Sequence, residues 1–193
     1  MVRLLALLLA MGLALPLIAR AEGLQPRIMR TAVRSTPAPL DRLVSVLAER
    51  LAVSRQVAAA KWINGAPIDD PVRETALLDD VARQAGEVGV DPDWAKAVFA
   101  AQFEASKHLQ RRLHEAWRTS GRGLVGPAPD LAREVRPAMD RLTPELLAAL
   151  RDAAPALARH GAAKRLRSVA EPFAVGEGLD EEVWRLALAP LAH

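Results

Sequence analysis

The stretch VAAAKWINGAPIDDPVRE, Val57 to Glu74, decides the fold. Its first half is an alanine-rich run of helix formers, and Asn64-Gly65 is a stop signal. Asp70-Pro71 reads as a helix N-cap followed by proline at the first helical position, where its missing N–H costs nothing. The segment therefore predicts the end of one helix, a short connection and the start of another. It also sets a problem. Lys61 directly follows three alanines, which puts an ammonium on what reads as a packing surface.

Upstream, Leu40, Leu43, Val44, Leu47 and Leu51 recur at steps of three and four, the period of one helix face. A first helix is predicted from Leu40 to about Trp62. A second runs from Pro71 through Leu77, Leu78, Val81 and Ala82 to about Glu87, and Gly89 ends it. In VDPDW the same device recurs, with Asp91 as cap and Pro92 opening a third helix that reaches about Thr119. Ser120 to Asp130 reads as a loop. Asp130 can cap a fourth helix, and Thr143-Pro144-Glu145 predicts a restart or kink within it. Further helical segments are expected at Pro144–Ala158, Gly161–Ala170 and Leu179–Leu191, with EPFAVGEGLD separating the last two. Strand-like alternation, nucleotide-binding glycine loops and internal repeats are all missing. The reading is all-α: a single helical-bundle domain of about six helices over residues 40–193.

The N-terminus reads differently. MVRLLALLLAMGLALPLIARAEG has a basic Arg3, an apolar run from Leu4 to Ile18 and an Ala19-Arg20-Ala21 site. These features predict a signal peptide over residues 1–21, cleaved after Ala21, and hence a periplasmic or secreted protein. Residues 22–39 carry no clear period and are expected to form a flexible leader. Losing Arg3 and Arg20 leaves 24 basic residues against 23 acidic, a net charge of +1. A balance so near neutral argues against a nucleic-acid partner, and no stable membrane association is expected after cleavage. The chain has no cysteine, which excludes thiol chemistry and cysteine-based metal sites.

Helix arithmetic bears on Lys61. Arg50 lies seven residues after Leu43, so at about 100° per residue it returns to the same stripe. Lys61 lies eleven after Arg50 and points in nearly the same direction. Snorkelling at the stripe's edge explains either cation alone; two in phase bring an inward-facing pair into contention. On the third helix, Phe99, Phe103, Ser106, Gln110, Leu113 and Trp117 form one stripe, apolar at both ends and polar at its centre. A serine and an amide at i, i+4 are explained by a buried hydrogen-bonded pair or by a polar pocket. Arg73 alone reads as a surface residue, and Asp70 alone as a cap. Taken together, Arg50, Lys61, Arg73, Asp70, Ser106 and Gln110 suit a cavity that binds a small dianion, because arginine forks match carboxylates. His108 and His114 lack the spacing of a helical metal pair, and His160 and His193 are isolated. Asp69-Asp70 lacks the spacing of a calcium loop, so no metal is expected. Trp62, Trp94, Trp117 and Trp184 are assigned to the core.

AERLAVSRQVAAAKWINGAPIDDPVRE, with its arginine, a lysine eleven residues on, a following tryptophan and P-I-x-D-x-x-R, resembles the signature of the exported all-helical chorismate mutases, the gamma subclass of the AroQ type. GVDPDWAKAVFAAQFEASKHLQ and PDL…RPAMD extend the resemblance over Leu43 to Leu142. It implies rearrangement of chorismate to prephenate without metal, cofactor or covalent intermediate. It implies that Arg50 and Arg73 contact substrate carboxylates, and that Lys61 bonds a carboxylate and the ether oxygen. Asp70 and Glu74 would lie near the ring hydroxyl, Ser106 would touch substrate, and Gln110 would face the ether oxygen. One protomer would supply the whole site, completed by an arginine of the fourth helix, Arg136 with Arg133 as the alternative. Such members are often homodimers, and many carry a C-terminal disulfide that this chain cannot form. The competing reading is a non-catalytic exported anion-binding or scaffold module on the same fold.

Overall fold

A computed structural model describes residues 37–120, 129–174 and 179–191. The expected signal peptide lies outside the described residues. So do all but the last residues of the leader and residues 121–128 of the predicted loop. Among the described residues there are six α-helices and no strand: α1 Pro39–Asn64, α2 Pro71–Glu87, α3 Pro92–Ser120, α4 Arg136–Leu157, α5 Ala162–Ala174 and α6 Glu181–Leu188. A π-helical turn, Leu131–Val135, leads into α4, and a 3₁₀ turn, Ala189–Leu191, follows α6.

The local signals act as the sequence indicates. Gly65 adopts φ +63° beyond α1, and the Ala66 N–H donates to the Lys61 carbonyl at 3.0 Å; a side chain at that left-handed position would be strained. Four aspartates cap the chain's turns into helix. Asp70 accepts from the Arg73 N–H at 3.1 Å, Asp91 from Trp94 at 2.7 Å, and Asp180 from Val183 at 3.0 Å. Asp130 accepts from Ala132 and Arg133 and starts the π-helical turn rather than α4 itself.

Three expectations are corrected. Helix α1 begins at Pro39, inside the predicted leader, because proline suits the first turn of a helix. Thr143-Pro144-Glu145 does not restart a helix: α4 runs unbroken through Pro144 and Pro155. Leu142, Leu146, Leu147 and Leu150 are buried on both sides of Pro144, and this packing outweighs the bond that proline removes. Likewise α5 extends through Pro172 to Ala174, absorbing the first part of EPFAVGEGLD.

Paired residues give the register. On α1 and α3, Arg50 meets Phe99, Ser54 meets Ser106 and Ala58 meets His114; both numbers rise together, so the two helices run parallel. Helix α4 is antiparallel to α1, with Glu49 bonded to Arg141 and Arg50 to Thr143 while Met139 shares a cavity with Val53 and Ser54. Helix α2 is antiparallel to α3, with Asp69 on Arg111, Glu74 on Lys107 and Asp79 on Lys96. Leu43, Leu47 and Leu51 of α1 pack with Phe99 of α3 and the leucines of α4 in one core. Helix α2 buries only Val81 and Ala85, so charge pairs rather than leucines tie its outer surface to α3.

Candidate active site

A cavity of about 60 Å³ lies between α1, α3 and α4. Arg50 is its single charged lining residue among those described, and only 5% of Arg50 is exposed. Its Nη1 donates to Thr143 Oγ1 at 3.3 Å, and the guanidinium lies 4.7 Å from the centre of the Phe99 ring. Its Nε has no partner. Burial lowers the Arg50 pKa to about 10, because desolvation disfavours the charged form. A buried cation without a carboxylate is costly to the free protein. An arriving anion would remove that cost.

Beside Arg50 runs a chain of neutral groups. Ser54 Oγ donates to Ser106 Oγ at 2.7 Å, and Gln110 Nε2 donates to the same oxygen at 3.0 Å. Gln110 is buried and its Oε1 is unpaired. The predicted serine–amide pair is therefore formed, and its serine lines the cavity.

The second group of predicted residues gathers at the α1–α2 connection. Lys61 is half-buried, and its Nζ donates to the Ile68 carbonyl at 2.7 Å. Burial lowers its pKa first, and Arg73 pushes the same way, while Asp70, Glu74 and Asp69 oppose. Arg73 is exposed at the start of α2. Asp70 keeps its capping role, and its own N–H donates to Glu74 Oε1 at 3.4 Å. The other oxygen of Glu74 accepts from Lys107 at 2.9 Å. Arg50 and Lys61 thus share a face but not a chamber: eleven residues separate them by about 16 Å along the axis.

Arg136 is the first residue of α4 and is exposed. It lies three and seven residues before Met139 and Thr143, hence on the same helix face. The antiparallel register runs that face from Thr143, at Arg50, in the direction of Lys61. Arg133 sits in the π-helical turn, 89% exposed, 3.6 Å from Asp130.

Several residues were not foreseen. Ser54, one turn after Arg50, and Gln102, one turn before Ser106, both line the cavity. Their i, i+4 spacing from foreseen residues was the available signal. Thr143 and Lys107 could not be found that way, because Arg50 and Glu74, which they meet, lie on other helices. The tryptophans divide. Trp184 is buried, whereas Trp94, Trp62 and Trp117 are half-exposed. Trp62 and Trp117 surround His114, with ring centres 5.1 and 5.5 Å from it, and the His114 ring nitrogen meets the Ala58 carbonyl at 2.9 Å.

A buried guanidinium, neutral donors and a flanking ammonium are groups that could bind an anion that also carries neutral oxygens. Comparison with known proteins agrees. Residues 41–111 match the family described as chorismate mutase type II. The chain is 30% identical over 155 residues to a secreted chorismate mutase of Mycolicibacterium smegmatis, covering 80% of this chain and 84% of that one. Among solved structures, the chorismate mutase of Burkholderia thailandensis is 41% identical with a TM-score of 0.74, covering 80% of this chain and 99% of the other. That of Burkholderia phymatum is 30% identical with a TM-score of 0.72, covering 81% and 99%. The chain belongs to the chorismate mutase family.

Proposed function

We infer that this protein is an isomerase that rearranges chorismate to prephenate. The observation that carries the reading is Arg50, a buried cation with no carboxylate in a chamber of hydrogen-bonding groups. In this [3,3] rearrangement the ether C–O bond breaks as a C–C bond forms, and negative charge grows on the ether oxygen. Arg50, Arg73 and Arg136 hold the two carboxylates, so that the enolpyruvyl arm lies over the ring in a reactive pose. Lys61 leaves the Ile68 carbonyl and donates to a carboxylate and to the ether oxygen. Gln110 turns its N–H₂ from Ser106 to the same oxygen. Donors fixed in place before the charge develops stabilise the transition state without reorganising at that moment. Ser106 bonds the substrate once Gln110 releases it, and Asp70 and Glu74 face the ring hydroxyl. The residue types support this reading: all the groups are donors or capped acids, and the reaction needs no covalent or redox step from them.

The relatives named as secreted support export of this chain. We propose that residues 1–21 are the signal peptide and that the mature protein begins at Glu22, which N-terminal sequencing of the exported protein would establish. Loss of chorismate absorbance on adding the purified mature protein tests the activity. If the chorismate persists and only binding is seen, the chain is an anion-binding module instead.

A further inference from the structure

Among the described residues, Gln102 alone has two buried side-chain atoms without a hydrogen-bond partner. It is 3% exposed, it lines the same cavity as Arg50, and both its Nε2 and its Oε1 lack a partner. Buried amides are almost always paired, because leaving them unpaired costs the full desolvation of each atom. Here the amide shares its cavity with a guanidinium whose Nε is also unpaired. Two unpaired donors in one cavity, an arginine Nε–H and an amide N–H₂, suit the two oxygens of one carboxylate. The rest of the lining among the described residues is apolar or hydroxyl, with no carboxylate.

We propose that Gln102 is a substrate-binding residue, sharing with Arg50 the recognition of one carboxylate of the dianion. Its Nε2 donates to one oxygen of that carboxylate, and the Arg50 Nε–H donates to the other. The site then has two levels. The inner one, Arg50 and Gln102, selects the carboxylate that enters deepest. The outer one, Lys61 with the exposed arginines, acts at the ether oxygen and the second carboxylate. Gln102 does not contact the breaking bond, so its contribution belongs to binding rather than to the chemical step.

This inference rests on the mutase reading, and the test separates the two. Steady-state kinetics on chorismate and thermal melts of the free protein are measured for the wild type, Gln102→Leu and Gln102→Glu. A wild type that does not turn over chorismate overturns the mutase reading. With an active wild type, Gln102→Leu is expected to raise KM about tenfold, about 1.4 kcal/mol of binding, with kcat within about threefold. Its Tm should stay level or rise, because no bond of the free protein is lost. Gln102→Glu puts a carboxylate beside Arg50 and repels the dianion, so its KM should rise further than that of the leucine variant. A wild-type KM in Gln102→Leu overturns the proposal, as does a fall in Tm with unchanged KM, which marks a purely structural amide. If the leucine variant does not fold, a wild-type KM in Gln102→Glu overturns it equally.

Discussion

Two clusters of charge share α3 and follow opposite rules. On the outside, Lys107 is held by Glu104 at 2.6 Å and Glu74 at 2.9 Å, with Asp69 at 3.7 Å, and Arg111 bonds Asp69 at 2.6 Å. Desolvation pulls the Lys107 pKa down, but the bonds from Glu104 and Glu74 outweigh it and hold it above the ordinary lysine value. On the inside, Arg50 is more deeply buried, yet a neutral hydroxyl and the Phe99 ring are its partners, and its pKa falls to about 10. Where the fold needs stability, cations are saturated with carboxylates. Where it needs an anion, a cation is left wanting one. Lys61 stands between the two: its Nζ bonds a carbonyl, and acids surround it only at longer range.

The comparison can be broken at four points. The largest effect is expected at Lys61. Lys61→Ala should cost about 3–4 kcal/mol of barrier in kcat/KM, the worth of a key oxyanion donor, and near wild-type activity would remove Lys61 from the chemistry. Its charge also sets an alkaline limit. The folded pKa lies below 10.5, so the lysine gives up its proton earlier in the folded protein than in the unfolded chain. Stability tied to this group is gained, and activity lost, as pH rises through the lowered value. The limb in kcat should lie above that in kcat/KM, because a bound dianion raises the pKa again.

Arg50→Leu comes next. It should lose about 2–5 kcal/mol in kcat/KM, as for a desolvated charge stripped from its partner, while Tm of the free protein holds or rises. A lost Tm with retained activity would mean that Arg50 serves the fold. The sign of its pH dependence follows from a lowered pKa: stability is flat below about 10 and rises above it as the buried charge is released.

Gln110 gives a smaller and more diagnostic effect. An amide donates at any pH, so the parent rate should show no loss from this group between about pH 5 and 8. A glutamate donates only when protonated, so Gln110→Glu should slow as pH rises through that range. Identical profiles in the two proteins would show that Gln110 does not donate to the ether oxygen.

The smallest effect belongs to the outer cluster. Lys107→Ala should lower stability by about 1 kcal/mol, typical of a partly screened network, and leave KM within about twofold. A large rise in KM would show instead that Lys107 holds Glu74 in a substrate contact.

Local signals and long-range partners were not equally legible in the chain. Gly65, Asp70-Pro71 and Asp91-Pro92 state their conformations alone, because a left-handed turn, a side-chain cap and a first-turn proline are events of a few residues. Their helices ended where the sequence put them. Pro144 and Pro172 misled for the complementary reason: proline disfavours helix locally, and only burial of the surrounding leucines and alanines overrides it. The phase of Arg50 with Lys61, and of Ser106 with Gln110, was also readable, since side chains at helical spacing share a face whatever packs there.

The sequence by itself therefore determined the helices, their inward faces and, through its resemblance, the family. Tertiary structure alone decided which inward groups share a chamber. Arg50 joined Thr143 of α4, Ser54 joined Ser106, and Gln102 was left unpaired in the same cavity. Lys61 turned to the α1–α2 connection, and Arg73 stayed at the surface. Periodicity gives a direction around one helix axis, but a hydrogen bond across helices depends on their relative register, and that is set by how the whole core packs.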